Sequence, residues 1–344
     1  MVWLARGRRS VRLRAAARNL APSPRLATPL YFGAVTLAGW VASLPLGLLG
    51  GWLVERRFGL TKQTPRGWFA DEVKGLGLSL VLQPLLLSGA WAVIRRRPKD
   101  WWLVLSGLAV PLAVVFGYLA PLVIMPIFNR FTPPEDDALA GRIRALADRS
   151  GVRIADVYRI DMSRQSEKPN AFFAGIGNSK RIALGDTLLD RFEPAEIEGV
   201  VAHELAHQAH RDIWKLAGFA AVAGFATAWA TARIAPAAIR RTSAQTGVDD
   251  IADPASLPVV ALTLSLLGVA VAPLQAAWSR RIERSADRFA LGLTGDGETY
   301  ASAMARLAAQ SLADPDPPRA VVAVLYSHPP VAERIRAARE FGGS

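Results

Sequence analysis

Five long stretches of this chain carry no charged residue at all: 26–54, 75–94, 101–129, 216–232 and 254–279. This clustering constrains the fold more than any other feature, because a soluble core would draw its apolar residues from dispersed positions. A bilayer core about 30 Å thick requires about 20 apolar residues in a helix. Four of the five blocks reach that length outright. The block from Leu216 reaches it when extended past Arg233 to Ile239, with that arginine snorkelling to the interface. Tryptophans stand at block ends (Trp52, Trp91, Trp101, Trp102, Trp214, Trp278), where indole prefers the membrane surface. Pro45, Pro84, Pro111, Pro121, Pro258 and Pro273 lie inside the blocks, which membrane helices tolerate better than soluble ones. The expected fold class is a mainly α, polytopic membrane protein with about five transmembrane helices. Three of them fall in a region at 26–129 and a helix pair at 214–279.

The chemistry-bearing motif lies between them, at His203-Glu204-Leu205-Ala206-His207. Two histidines four apart on a helix share one face, close enough to bind a single zinc ion through their imidazoles. The glutamate between them points toward the same ion and can take a proton from its bound water, the helical signature of a zinc-dependent peptidase. Pro194-Ala195-Glu196 opens the helix with an early carboxylate, which suits the positive end of a helix dipole.

Upstream, Phe131-Thr132-Pro133-Pro134-Glu135-Asp136 reads as an exit loop, and a helix carrying Leu139, Ile143, Leu146 and Ala147 ends near Ser150-Gly151. Alternation predicts strands at 152–160, 171–176 and 181–184, with a turn at Gly177-Asn178-Ser179 and a short helix at 187–192. Residues 280–344 read as helical, with a proline-rich loop at 314–318. A small sheet plus the motif helix makes a zincin-like α/β catalytic domain, assembled from two separated segments, 130–213 and 280–344.

A two-histidine zinc site needs a third protein ligand and leaves one position for water. His210 is the nearest histidine, but on a continuous helix it stands about a turn too far along, and the extended metzincin position is Ile213. Two spans separate the motif from residue 280, so the chain returns to the side it left. Glu283 is then the better candidate. It stands four residues before Asp287, so one helical face offers two carboxylates, one to ligate and one to accept the free N–H of a liganding histidine. His328, in Ser327-His328-Pro329-Pro330, is a candidate donor to a transition-state oxyanion.

The chain has no cysteine, which removes disulfides, thiolate ligands and a cysteine nucleophile together. Its net charge is +12, suited to anionic lipid, and nothing interleaves bases and aromatics as a nucleic-acid surface would. Residues 1–25 form a basic N-terminal tail with seven arginines, read equally as an amphipathic helix on lipid or as a disordered segment.

Six stretches carry a resemblance: FGLTKQT at 58–64, PIFNRFTPP at 126–134, NAFFAGIGNSKRIALGDTLL at 170–189, VAHELAHQAHRD at 201–212, RRIERSADRFAL at 280–291 and YSHPPVAERI at 326–335. In content and order they resemble the M48 membrane zinc metallopeptidases, within them the CAAX prenyl protease 1 (Ste24-type) group. The resemblance implies one zinc per chain on His203, His207 and Glu283, with Glu204 as base and Asp287 behind a ligand. It implies that His328 and Arg334 line the substrate site. It implies that Asn170, Ala171 and Phe172 receive a peptide or protein substrate as an added strand, in keeping with β-augmentation. The substrate would be cut near its C-terminus, prenylated or not.

The resemblance implies seven helices enclosing a large intramembrane chamber, whereas five are expected in this chain, two fewer before Tyr31. A related membrane quality-control protease of the HtpX type shares the zinc motifs but is not expected to carry FNRFTPP and FGLTKQT. In another class, a non-catalytic scaffold would hold structural zinc or none. Loop arginines at 95–97 and 240–241 place the site outside the cytoplasm by the positive-inside rule, whereas the resemblance implies the cytoplasmic face.

Overall fold

The computed structural model describes residues 1–174 and 180–342. Among them, five helices are long and apolar enough to cross a membrane: Pro24–Arg57, Pro65–Arg96, Trp101–Phe128, Asp212–Thr246 and Pro254–Thr294. These cover the five charge-free blocks. The fourth extends through Arg233, whose guanidinium lies 5.8 Å from the ring centre of Trp229. The chain divides into two compact units. One comprises Met1–Leu49, Phe69–Ala113 and Phe219–Val271, the other Gly50–Trp68, Val114–Gly218 and Ala272–Ser344.

In the first unit the basic N-terminal stretch is helical and packs on protein rather than forming a free tail. Residues Arg9–Leu20 form a helix that buries Ser10 and Ala17, seven apart and therefore on one face. The Ser10 hydroxyl donates to the carbonyl of Ala255 at 2.8 Å and lies 2.7 Å from the Tyr31 hydroxyl, while Arg14 pairs with Asp253. Tyr31, Phe32, Trp91, Ile94 and Ile239 form the centre of this unit. The small Ser10 and Ala17 let the helix pack closely, and Arg14 beside them is taken up by Asp253. Composition alone registers only the arginines.

The second unit contains a four-stranded sheet: β1 (Phe131–Thr132), β2 (Asp156–Ile160), β3 (Ala171–Ala174) and β4 (Arg181–Gly185), in the order β1-β2-β4-β3. β1 and β2 are antiparallel, β2 and β4 parallel, and β3 and β4 antiparallel. β1 forms where the sequence reads as a loop, because two residues are too short to show alternation. β2 starts later than alternation suggests. The expected continuation of β3 to Ile176 and the turn at Gly177-Asn178-Ser179 lie outside the described residues. Val157, Ile182 and Leu184 are fully buried and pack with Val201 and Leu205 of the motif helix.

Residues 50–68 also belong to this unit. The Thr61 hydroxyl donates to the carbonyl of Gln165 at 2.7 Å, and the N–H of Glu167 donates to the carbonyl of Leu60 at 2.9 Å. The expected segment boundaries near 213 and 279 are not breaks in structure. Asp212–Thr246 and Leu257–Thr294 run through them, and Glu283 lies within the second of these helices.

Candidate metal centre

The motif helix, Pro194–Ala209, starts with a reciprocal cap. The Glu193 side chain accepts from the helix backbone while the Glu196 carboxylate accepts from the Glu193 N–H at 3.0 Å. Pro194 at the first helical position needs no partner for a missing N–H. Glu196 is buried and also accepts from Ser302 and Arg306, both at 2.7 Å, which ties the helix start to the later helix Gly297–Ser311. Gly199 admits that neighbour: a Cβ there would meet Cδ2 of Tyr300 at 3.3 Å.

Helical spacing brings His203 and His207 together, their Nε2 atoms 3.2 Å apart. Glu283 arrives from the other segment, with Oε2 3.2 Å from Nε2 of His203 and Oε1 3.8 Å from Nε2 of His207. Tetrahedral zinc with bonds of about 2.0–2.1 Å spaces its donors about 3.3–3.4 Å apart. The donor set therefore fits such an ion in both chemistry and separation. Glu283 Oε2 is buried and accepts no hydrogen bond, an arrangement that is costly unless a cation satisfies it. Among the described residues, these three form the group able to hold a metal.

Each histidine is held from behind by a carboxylate. Asp287 Oδ1 lies 2.9 Å from Nδ1 of His203, and Asp212 Oδ2 lies 3.0 Å from Nδ1 of His207. Such contacts select the tautomer that leaves Nε2 free to ligate. Asp287 in turn accepts from Tyr300 at 2.6 Å and from Arg334, through Nε at 2.9 Å and Nη2 at 2.7 Å. Arg334, expected to line the substrate site, thus has its guanidinium engaged on Asp287 and is largely buried.

Sequence reasoning missed Asp212 and Tyr300. On a helix continuing past His210, Asp212 has no reason to face His207, whereas His210 caps the helix and Arg211 adopts φ 55°. That left-handed residue, unusual outside glycine, turns Asp212 back toward His207. Tyr300 carries no local signal, being an apolar-face residue 97 positions from the histidine it meets. His210 lies away from the donor group, its ring edge-on to Phe289 at 5.2 Å.

His328 does come to the centre, with Nε2 3.4 Å from Oε2 of Glu283 and its side chain 57% exposed. Asn170 is exposed, and its carbonyl accepts from the Gly185 N–H at 2.9 Å. Ala171 and Phe172 follow on β3, an edge strand of the sheet.

Electrostatics suit a metal-and-base arrangement. Burial acts to lower the pKa of His203, but the Asp287 and Glu283 carboxylates beside it outweigh it and raise the value to about 9. Burial raises the pKa of Glu204, opposed by His203 and His207 and assisted by Glu283. Burial likewise pushes the Tyr300 hydroxyl well above its ordinary value, keeping it a neutral donor.

Comparison with known proteins gives concordant matches. Residues 133–341 match peptidase family M48, and residues 10–130 match the CAAX prenyl protease N-terminal region, described as five membrane helices. The chain is 31% identical over 309 residues to the uncharacterized metalloprotease YhfN of Bacillus subtilis (strain 168), covering 89% of this chain and 72% of that one. It is 34% identical over 179 residues to CAAX prenyl protease 1 of Saccharomyces cerevisiae, a match spanning 52% of this chain and 39% of the yeast protein. The crystal structure of S. mikatae Ste24p has the same fold, with a TM-score of 0.86 and 26% identity over 95% of this chain and 80% of that one.

Proposed function

The chain belongs to peptidase family M48 and is a multi-pass membrane metallopeptidase, and from that premise we propose that it is a zinc endopeptidase of the CAAX prenyl protease 1 type. It cuts peptide or protein substrates near their C-terminus. The observation that carries this reading is the convergence of His203, His207 and Glu283, one ligand atom from each within 4.8 Å, with Glu204 between the two histidines. The match of residues 10–130 favours this group over the quality-control type.

Zinc, when bound, supplies Lewis acidity, lowering the pKa of a coordinated water toward about 7 and polarising a substrate carbonyl. Glu204 accepts the proton of the attacking water and delivers it to the leaving amine. Its raised pKa keeps the conjugate acid available for that second transfer. His328 donates from its imidazole to the developing oxyanion, which its exposure beside Glu283 supports. β3 offers its outer edge to an extended substrate at Asn170, Ala171 and Phe172. Arg334 acts on substrate through its grip on Asp287 and the His203 behind which that carboxylate stands.

The site faces the cytoplasm in this reading, which rests on the resemblance and runs against the loop arginine count. The cysteine-free chain makes the test simple: Asp314→Cys, on an exposed loop, resists a membrane-impermeant maleimide in intact cells and reacts after lysis. Labelling in intact cells would reverse the orientation.

Metal analysis paired with cleavage of one peptide in prenylated and unprenylated forms tests the activity. The purified chain carries one zinc and cleaves the prenylated form. Glu204→Gln retains zinc but loses hydrolysis by about 10²–10⁴-fold, the usual worth of a positioned base. Turnover within about tenfold of wild type removes Glu204 from that role. A zinc-loaded chain that cleaves neither peptide returns the scaffold reading.

A further inference from the structure

A second polar site lies in the other unit, far from this chemistry in sequence. A cavity of about 390 Å³ opens where the first span begins and the second ends, lined by Pro24, Arg25, Thr28, Pro29, Ser88 and Arg95. Its volume falls in the range of small-molecule sites, roughly 300–1,000 Å³. Arg25 immediately precedes the charge-free block that starts at Leu26, and Arg95 immediately follows the block that ends at Ile94. Both therefore stand at the level of lipid head groups, a level also marked by Trp91 and Trp101. Among the described residues, no carboxylate pairs with either arginine, whereas nearby Arg14 and Arg97 have Asp253 and Asp100.

Deeper in the cavity, the Ser88 hydroxyl is buried and has no hydrogen-bond partner. Several span hydroxyls return their proton to their own helix (Thr36 to Phe32, Thr263 to Val259 and Ser265 to Ala261, at 2.8–2.9 Å), whereas Ser88 and Ser106 do not, and of these two Ser88 lines the cavity. Ser88 instead leaves a donor unused in an apolar setting, the kind of group a bound acceptor satisfies. Seven residues separate Ser88 from Arg95, about 10 Å along the helix, a gap that the arginine side chain spans in part.

We propose that this cavity binds one anionic phospholipid, its phosphate held by Arg25 and Arg95 and an acyl-ester carbonyl accepting from Ser88. Guanidinium groups bind phosphate oxygens in bidentate fashion, and Thr28 in the first turn of the span adds a hydroxyl. The vertical order matches the ligand, since the ester carbonyls of a phospholipid lie below its phosphate. Free phosphate would fill only the mouth and leave Ser88 unsatisfied. A zwitterionic head group would bring an ammonium against two guanidiniums.

Native mass spectrometry of the delipidated full chain, titrated with dioleoyl phosphatidylglycerol, phosphatidylcholine, a diether phosphatidylglycerol or inorganic phosphate, tests the assignment. The wild type retains one phosphatidylglycerol about tenfold more strongly than phosphatidylcholine, and millimolar phosphate does not displace it. Arg25→Gln combined with Arg95→Gln removes that preference, whereas Arg96→Gln, next to the cavity but not lining it, keeps it. Ser88→Ala weakens retention of the diester several-fold and leaves the diether unchanged. Circular dichroism confirms the fold of each variant. Displacement by phosphate, an equal loss in Arg96→Gln, or retention unchanged in the double variant would each overturn the proposal. So would a Ser88→Ala effect that ignores the ester.

Discussion

His207 holds its Nδ1 3.0 Å from Oδ2 of Asp212, a residue five positions further along and beyond the end of its helix. The aspartate is almost fully buried and is itself held by Lys215 at 2.8 Å. His203 has the matching partner in Asp287. Both histidines are therefore oriented by carboxylates from outside the motif.

Removing one such partner should loosen the metal without removing a ligand. Asp212→Ala is expected to lower zinc affinity about 10–100-fold, measured by competition with a chromophoric chelator. Asp212→Asn, which keeps an acceptor oxygen, should lose less. Asp212 is also the first residue of the fourth span helix, where an acid suits the helix dipole. Unchanged affinity with a lower melting temperature would assign it to that capping role alone.

Glu283→Ala should leave the purified chain without stoichiometric metal, while His210→Ala should keep it. His210 touches Ser285 and Phe289 rather than the donor group. Metal analysis showing the reverse would move the ion further along the helix and displace Glu283 as third ligand.

His328→Ala should lower kcat by about 10²–10³ with KM little changed, because an oxyanion donor acts chiefly in the transition state. Zinc content should stay at one per chain. If His328 only shapes the proline loop that it shares with Pro329 and Pro330, turnover per folded, zinc-loaded molecule will be normal.

Metal uptake should release a proton and strengthen with pH. The pKa of His203 is raised to about 9 in the metal-free chain, so at pH 7 its imidazole is protonated and must lose that proton to ligate. Apparent affinity should rise by up to about tenfold per pH unit from His203 alone and level off near pH 9. Calorimetry in buffers of different ionisation enthalpy reads the released proton directly. No buffer dependence at pH 7 would mean that His203 is already neutral.

Much of the site is legible in the chain because its geometry is local. Helical spacing alone brings His203 and His207 within 3.2 Å, and counting spans returns Glu283 to them. The four-residue spacing from Glu283 offers Asp287 to a histidine, and the structure has it 2.9 Å from Nδ1 of His203; His328, read from its loop only as an oxyanion donor, lies 3.4 Å from Glu283. Arg334 was legible only as a residue near substrate. Its grip on Asp287 depends on how the last helix, Val331–Gly342, packs beside Tyr300, which no periodicity encodes.

By itself the sequence determined the spans, the motif helix and the shared face of its two histidines, because charge-free length and a 3.6-residue period are properties of neighbouring residues. Only the tertiary structure decided which groups stand behind those ligands and where the polar flanks go. Asp212 reaches His207 through one left-handed residue at Arg211, and Tyr300 reaches Asp287 because Gly199 leaves room for its ring. Ser10 and Ala17 draw an arginine-rich helix onto protein, and Thr61 joins a loop to the backbone at Gln165. Each of these is a contact between distant positions. Its energy comes from buried hydrogen bonds and close packing that exist only once the chain has folded.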